Sequence, residues 1–272
     1  MCDSPYYSRK YTDLKHIPLP CGKCPVCKRR RVNQWAFRLQ QEEKVSSNAY
    51  FITLTYDTSQ VPITPNGYMS LSKRDVQLFI KRLRKLNGKT KVVYYLAGEY
   101  GEKFTRPHYH AILFNINDIN HVGEAWNLGQ VHIGHSVSGA SFSYTAKYID
   151  KASRIPLHAR DDRQKEFSHM SKGIGKNYMT PQVVAYHKSN KDHLFVQEFN
   201  GNTLPIPRYY RLKMFNKREL LDQQVYIAKQ LEVERQKKAL LFAQKGKDLD
   251  QVEQSEKMQR LTEFYKRQNL ER

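Results

Sequence analysis

The stretch KVVYYLAGEYGEKFTRPHYHAILFNI, residues 91–116, holds two apolar, aromatic and β-branched runs separated by a short polar loop. Lys91–Tyr100 and His108–Ile116 each have the composition of a strand, and the loop between them is short enough for antiparallel pairing. The second run opens on His108, Tyr109 and His110. Side chains alternate along a strand, so His108 and His110 share one face and Tyr109 takes the other. The two histidine Cβ atoms are then about 6.5–7 Å apart, close enough for both imidazoles to converge on one ion. Ile112 and Phe114 continue the same face, which places such a site at the end of an apolar surface. Glu99 ends the first run, where a hairpin would bring its carboxylate beside the histidines. Two imidazoles and one carboxylate leave positions open for Mg²⁺ or Mn²⁺ and a substrate oxygen. Alternatively, Glu99 is a surface carboxylate that pairs with Arg106.

Working outward, YFITLTY (Tyr50–Tyr56) reads as a further buried strand and Pro65–Gly67 as a turn. Ser72 opens a helix with Asp75 in a capping-box arrangement, and Val76, Phe79, Ile80 and Leu83 form its buried stripe. An earlier helix spans Lys28 to Lys44, with Val32, Trp35, Ala36 and Leu39 on one face. A short helical piece at Val122–Trp126 leads to GQVHIGHSV, which has a strand's composition, and then to a helix from Ser141 to about Ala152. Strands and helices without regular βαβ alternation give an α+β fold built on an antiparallel sheet. Beyond about Arg211 the chain turns rich in Gln, Glu, Lys and Leu, which reads as a long charged helix. Three regions result: a Cys-rich segment, 1–27; the α+β domain, 28–211; and a helical C-terminal arm, 212–272.

The chain has 272 residues, of which 39% are hydrophobic, enough for a sizeable core. Lys and Arg total 46 against 26 Asp and Glu, a formal charge of +20. So large a basic excess points to a polyanionic partner, with nucleic acid the leading class. Arg29, Arg30 and Arg31 crowd the start of the first helix. In SKGIGKN, Lys172 and Lys176 flank Gly173 and Gly175, where the backbone is either a plain turn or an approach to DNA phosphates. Tyr209 and Tyr210 in PRYYR either stack on unpaired bases or pack inside. No apolar run has membrane-spanning length and the first residues lack a signal-peptide core, so a cytoplasmic location and no membrane partner are expected. No G-x4-G-K-[ST] loop occurs, which argues against an attached ATP-driven helicase.

The chain's four cysteines are Cys2, Cys21, Cys24 and Cys27. Their spacing could supply a tetrahedral structural Zn²⁺ site, while unliganded thiols are the alternative. In SYTAKYIDK, Tyr144 and Tyr148 lie one helical turn apart, as do Lys147 and Lys151. Packed tyrosines and solvated lysines would be the ordinary meaning of that spacing. Beside a metal the same residues gain a chemical role. A tyrosine hydroxyl has a pKa near 10, so roughly one in a thousand is ionised at neutral pH. A neighbouring cation that lowers its pKa and a metal that polarises its target would make it a nucleophile.

FITLTY, GEYG…RPHYHAILF and YTAKYIDK resemble, in order, the three motifs of HUH endonucleases of the two-tyrosine superfamily. PCGKCPVCKRRRVNQWAFRL, AWNLGQVHIG, MSKGIG and PRYYR are similar to replication initiator proteins of gokushoviruses, in the Microviridae. The resemblance runs from about Cys21 to Arg211. It implies a five-stranded antiparallel sheet carrying the histidines centrally. It also implies a site-specific nickase that cuts one strand of origin DNA, forms a 5′-phosphotyrosine adduct and rejoins DNA in rolling-circle replication. By position, His108, His110 and Glu99 would be metal ligands. Tyr144 and Tyr148 would be the nucleophiles, assisted by Lys147 and Lys151. Host helicase and polymerase would be partners, in the cytoplasm of a bacterial host cell. The rival readings are a two-tyrosine transposase and a non-catalytic basic DNA-binding protein with a zinc knuckle.

Overall fold

The computed structural model describes residues 2–7, 18–101, 104–134, 142, 155–197, 201 and 203–270. The chain divides into two compact units, Val32–Tyr178 and Met1–Arg31 together with Met179–Arg272. In chain order the strands are β1 (Tyr6–Tyr7), β2 (Pro18–Leu19), β3 (Ala49–Thr55), β4 (Val93–Tyr100), β5 (Pro107–Phe114), β6 (Val131–Ile133), β7 (Phe167–Met170), β8 (Phe195–Gln197) and β9 (Thr203–Pro205). Helices α1 (Pro25–Glu43), α2 (Lys73–Leu86) and α3 (Asn120–Trp126) lie in the first half of the sequence.

The unit from 32 to 178 is α+β. Its sheet has five strands in the order β6-β3-β5-β4-β7, and every neighbouring pair is antiparallel. The hairpin expected from residues 91–116 is β4–β5, with Glu99 opposite His108 and Ala97 opposite His110. β5 is therefore the central strand, and all but His108 of its residues are buried. Strict alternation divides its side chains between two cores. Tyr109, Ala111 and Leu113 face a layer formed with α2 and α3, including Val76, Phe79, Leu83 and Trp126. Ile112 and Phe114 face the other way, with Val93 and Tyr95, against Ala36 and Leu39 of α1. The histidines stand on this second face, beyond the apolar patch.

Tyr109 ties the hairpin to α2 by polar contacts. Its hydroxyl accepts a 2.8 Å bond from Ser72 N and lies 2.8 Å from the Tyr56 hydroxyl. Tyr56 in turn donates to Asp75 Oδ2 at 2.9 Å. Ser72 does cap α2, accepting from Asp75 N at 3.1 Å. The reciprocal half of the expected capping box is absent, because Tyr109 takes the Ser72 amide and Tyr56 the Asp75 carboxylate. Burial pushes the pKa values of both tyrosines upward. Those hydroxyls are therefore neutral structural links. After α3, Trp126 Nε1 donates to Thr55 O at 2.9 Å. Gly129 then passes β3 so closely that a Cβ would stand 2.3 Å from Thr55 O, which only glycine permits.

The expected helix from Ser141 lies outside the described residues except for Phe142, which is buried against Phe114. Past that gap, Asp161 and Arg163 form a buried ion pair at 2.8 Å. The SKGIGKN segment is a turn, with Gly173 and Gly175 at positive φ. Gly175 N donates to Glu42 Oε2 at 2.7 Å, and the Arg38 guanidinium grips Ile174 O. The Gly175 amide is thus committed within the protein rather than presented to phosphate.

In the other unit, β1 pairs with β2 and β8 with β9. Helices cover Pro181–Ser189, Arg208–Met214, Lys217–Ala243 and Leu249–Leu270. The expected charged C-terminal helix is therefore two helices, separated by a turn in which Gly246 has φ 67°. Arg235 pairs with Asp250 and reaches Glu253 at 3.9 Å, linking the two. Tyr210 is fully buried and Tyr209 half-buried, which favours packing over base stacking at Tyr210.

Candidate metal centre

Cross-strand register assembles the first cluster. Glu99 and His108 are directly opposed on β4 and β5, and His110 follows two residues along on the same face. Glu99 Oε1 lies 2.8 Å from His108 Nε2 and 3.2 Å from His110 Nε2. One ligand atom from each of the three residues lies within 4.8 Å of the others. Arg106, the alternative partner for Glu99, instead donates to Tyr56 O at 2.6 Å.

The remaining imidazole nitrogens are also held. His108 Nδ1 is 3.2 Å from Arg106 O, a carbonyl that can only accept, so Nδ1 carries the hydrogen. His110 Nδ1 and Thr53 Oγ1 are hydrogen-bonded at 3.0 Å. Phe51 stacks on the His110 ring, 5.7 Å between centroids and 7° from parallel. These contacts fix both rings with Nε2 aimed at the Glu99 oxygen. With Nδ1 protonated, a neutral His108 presents a lone pair to a carboxylate oxygen 2.8 Å away. Such an approach requires a positive charge between them, supplied by a proton or a cation. Outer hydrogen bonds of this kind are how proteins orient metal-binding histidines. Glu99 and His110 are 7% and 9% exposed, so water screens the cluster little. The donor set fits a divalent cation with open positions.

Thr53 is the residue that sequence reading missed. It sits opposite His110 in the β3–β5 register, in a strand otherwise read for its burial. The available signal was a hydroxyl on the histidine-facing side of FITLTY. Beside the cluster, Thr55, Gly101, Phe104, Arg106, Pro107 and His108 line a surface cleft. Phe104 is 79% exposed there, unusual for a large aromatic side chain.

The second cluster gathers Cys2, Cys21, Cys24 and Cys27, whose sulfurs lie within 4.8 Å of one another. Backbone N–H bonds, chiefly from Lys23, lower the Cys21 thiol to about 6. Burial raises Cys2 and pushes Cys27 up to about 12. Cys21 is thus the thiolate-forming member at neutral pH.

Tyr144, Lys147, Tyr148 and Lys151 lie outside the described residues. Among the predicted DNA contacts, Arg29, Arg30 and Arg31 are exposed on the first turns of α1, and Lys172 and Lys176 are exposed on their turn. Among the described residues no helix is long and apolar enough to cross a membrane.

Residues 49–153 match the family of replication-associated proteins of the ORF2 type. The chain is 30% identical over 238 residues to "Replication-associated protein VP4" of Bdellovibrio phage phiMH2K, a match covering 77% of this chain and 71% of that one. It is 27% identical over 218 residues to "Replication-associated protein ORF2" of Spiroplasma virus 4, covering 72% and 67%. It is 25% identical over 223 residues to "Replication-associated protein ORF4" of Chlamydia phage 1, covering 72% and 53%. No solved structure matches the chain.

Proposed function

The chain belongs to the ORF2 family of replication-associated proteins, and from that premise we propose that it initiates phage DNA replication by cutting one strand of its origin. The convergence of Glu99, His108 and His110 on one point carries the reading. Those three residues would hold Mg²⁺ or Mn²⁺ between β4 and β5. Bound there, the cation would neutralise charge on a scissile phosphate and make its phosphorus more electrophilic.

Tyr144 or Tyr148 is the nucleophile in this reading. Its phenolic oxygen bonds to phosphorus as the bond to the 3′ oxygen breaks. The phenolic proton passes to solvent or a base, and the DNA leaves with a free 3′ hydroxyl. The product is a 5′-phosphotyrosine diester, so its bond energy is retained and a later 3′ hydroxyl can reverse the attack without ATP. Lys147 and Lys151, three residues after each tyrosine, favour the phenolate by their positive charge. Two nucleophiles allow one strand to be cut while the other tyrosine remains linked to DNA. The freed 3′ end would then be extended by host polymerase, with a host helicase opening the duplex.

The +20 charge supplies the attraction to DNA. Labelled single-stranded circular DNA incubated with the protein and Mn²⁺ or Mg²⁺, then run on a denaturing gel, tests the proposal. A metal-dependent protein–DNA adduct should form with the wild type and disappear in the Tyr144→Phe/Tyr148→Phe double variant. Cleavage without an adduct would instead make water the nucleophile.

A further inference from the structure

The cysteine cluster lies in a different compact unit from Glu99, His108 and His110, and strand cutting leaves it unexplained. Its four sulfurs are the only ones cysteine contributes to this chain. β1 pairs Tyr6 with Leu19 and Tyr7 with Pro18 of β2, which returns the chain so that Cys2 meets the Cys21–Cys27 turn. Cys2 and Cys24 sulfurs are 3.7 Å apart, and those of Cys21 and Cys27 are 4.0 Å apart. A tetrahedron with zinc–sulfur bonds of about 2.3 Å has edges of about 3.8 Å. The spacing therefore matches four ligands around one ion, and it is far longer than the roughly 2.05 Å of a disulfide.

The surroundings favour bound thiolates. Lys23 N and Cys24 N donate to Cys21 Sγ at 3.4 and 3.3 Å, and Cys21 N donates to Cys2 Sγ at 3.3 Å. Amide donors on sulfur spread the negative charge of a metal-bound thiolate and orient it. Gly22, at φ 75°, provides the turn that points these amides inward. Four soft sulfur donors select zinc over Mg²⁺ or Mn²⁺ and leave no position open for substrate, which makes the site structural.

The residues adjoining the ligands show what such an ion would hold in place. Asp3, next to Cys2, has a side chain 1% exposed and pairs with Arg260 at 3.1 Å. Lys28, next to Cys27, places its ammonium 5.2 Å over the Phe264 ring. Arg260 and Phe264 are one helical turn apart on the C-terminal helix Leu249–Leu270. We propose that Cys2, Cys21, Cys24 and Cys27 bind one zinc ion, which clamps the N-terminal segment and the start of α1 onto the C-terminal helix.

The test uses the full chain, purified under reducing conditions without chelator, with zinc counted by mass spectrometry after dialysis. Wild type and the His108→Ala/His110→Ala variant should each retain one zinc per chain, and the Cys24→Ser/Cys27→Ser variant should lose it. Zinc that follows the histidines, zinc absent throughout, or a mass reduced by the four hydrogens of two disulfides would overturn the site. Cys24 and Cys27 are buried, so their replacement can unfold the chain. Cobalt exchanged into the wild type gives an independent reading: thiolate-to-cobalt charge-transfer bands are expected, and their absence refutes the site. Stripping the ion should speed protease cutting within 249–270 on the order of tenfold, because the bound ion stabilises only the docked form. An unchanged rate would overturn the clamp.

Discussion

Thr53 Oγ1 stands 3.0 Å from His110 Nδ1, hydrogen-bonded across the register of β3 and β5. The bond fixes which ring nitrogen faces Glu99, so Thr53 positions a ligand without being one. Thr53→Val keeps the side-chain shape and removes the hydroxyl. Affinity for Mn²⁺ should fall by about 10–100-fold, as for other outer partners of metal-binding histidines. Cleavage should recover at high Mn²⁺, whereas a loss that metal cannot rescue would place Thr53 in a different role. A metal titration of the cleavage rate separates the two.

Glu99 is the one anionic member of its cluster, and its Oε1 is within hydrogen-bonding distance of both imidazoles. Glu99→Gln retains size and removes the charge that would hold a cation. Adduct formation should drop at least on the order of 100-fold, while salt-sensitive DNA binding should persist because it depends on Lys and Arg. Chelation of divalent metal should reproduce the cleavage loss in the wild type. Full cleavage by the Gln variant at low Mn²⁺ would remove Glu99 from the ligand set.

The cluster was legible because a hairpin's register is a simple consequence of alternation. Once residues 91–116 are two paired strands, Glu99 has to fall near His108, and the histidine face follows from Tyr109 pointing into the core. β7 was not legible, since Phe167–Met170 is short and mixed in polarity and gains its identity only by pairing with β4. The convergence of four cysteines was half visible. Cys21, Cys24 and Cys27 share a turn, but Cys2 arrives through two-residue strands that leave no periodic signal. The capping box at Ser72 was read correctly at one end only, because local spacing cannot reveal that Tyr109 and Tyr56 compete for its polar groups. Tyr144 and Tyr148 rest on spacing and resemblance, as they lie outside the described residues.

Phe104 lines the cleft beside His108 and is 79% exposed. An apolar ring held in water next to a phosphate-cutting site suits stacking on an unpaired base. Phe104→Ala should weaken binding of single-stranded origin DNA by about 1–3 kcal/mol and leave Mn²⁺ affinity unchanged. Anisotropy titrations with short labelled strands would measure it. Equal weakening for duplex DNA would point to a general electrostatic or folding effect instead.

The chain re-enters the described structure at Ile155, shortly after the tyrosine motif, and is fastened there by Asp161 and Arg163. Arg163 Nε and Nη2 donate to the two Asp161 oxygens at 2.8 and 2.9 Å, and Leu157 N donates at 2.7 Å. The Arg163 guanidinium also lies 5.2 Å over both Tyr68 and Tyr100. Hydrogen bonds from Arg163, with backbone amides, hold the Asp161 carboxyl well below the usual carboxylate range. A depressed folded-state pKa contributes stability above the unfolded value of about 3.9 and loses it as pH falls toward the folded value. Asp161→Asn should therefore lower the melting temperature by roughly 5 °C at pH 7. The gap from wild type should narrow steadily below about pH 4, where the wild-type carboxyl begins to protonate. Melting curves from pH 7 to pH 3 would check this, and a gap that stays constant would assign the effect to lost packing. Since this pair anchors the chain just beyond Lys151, the Asn variant should also nick more slowly at pH 7 with its Mn²⁺ affinity intact.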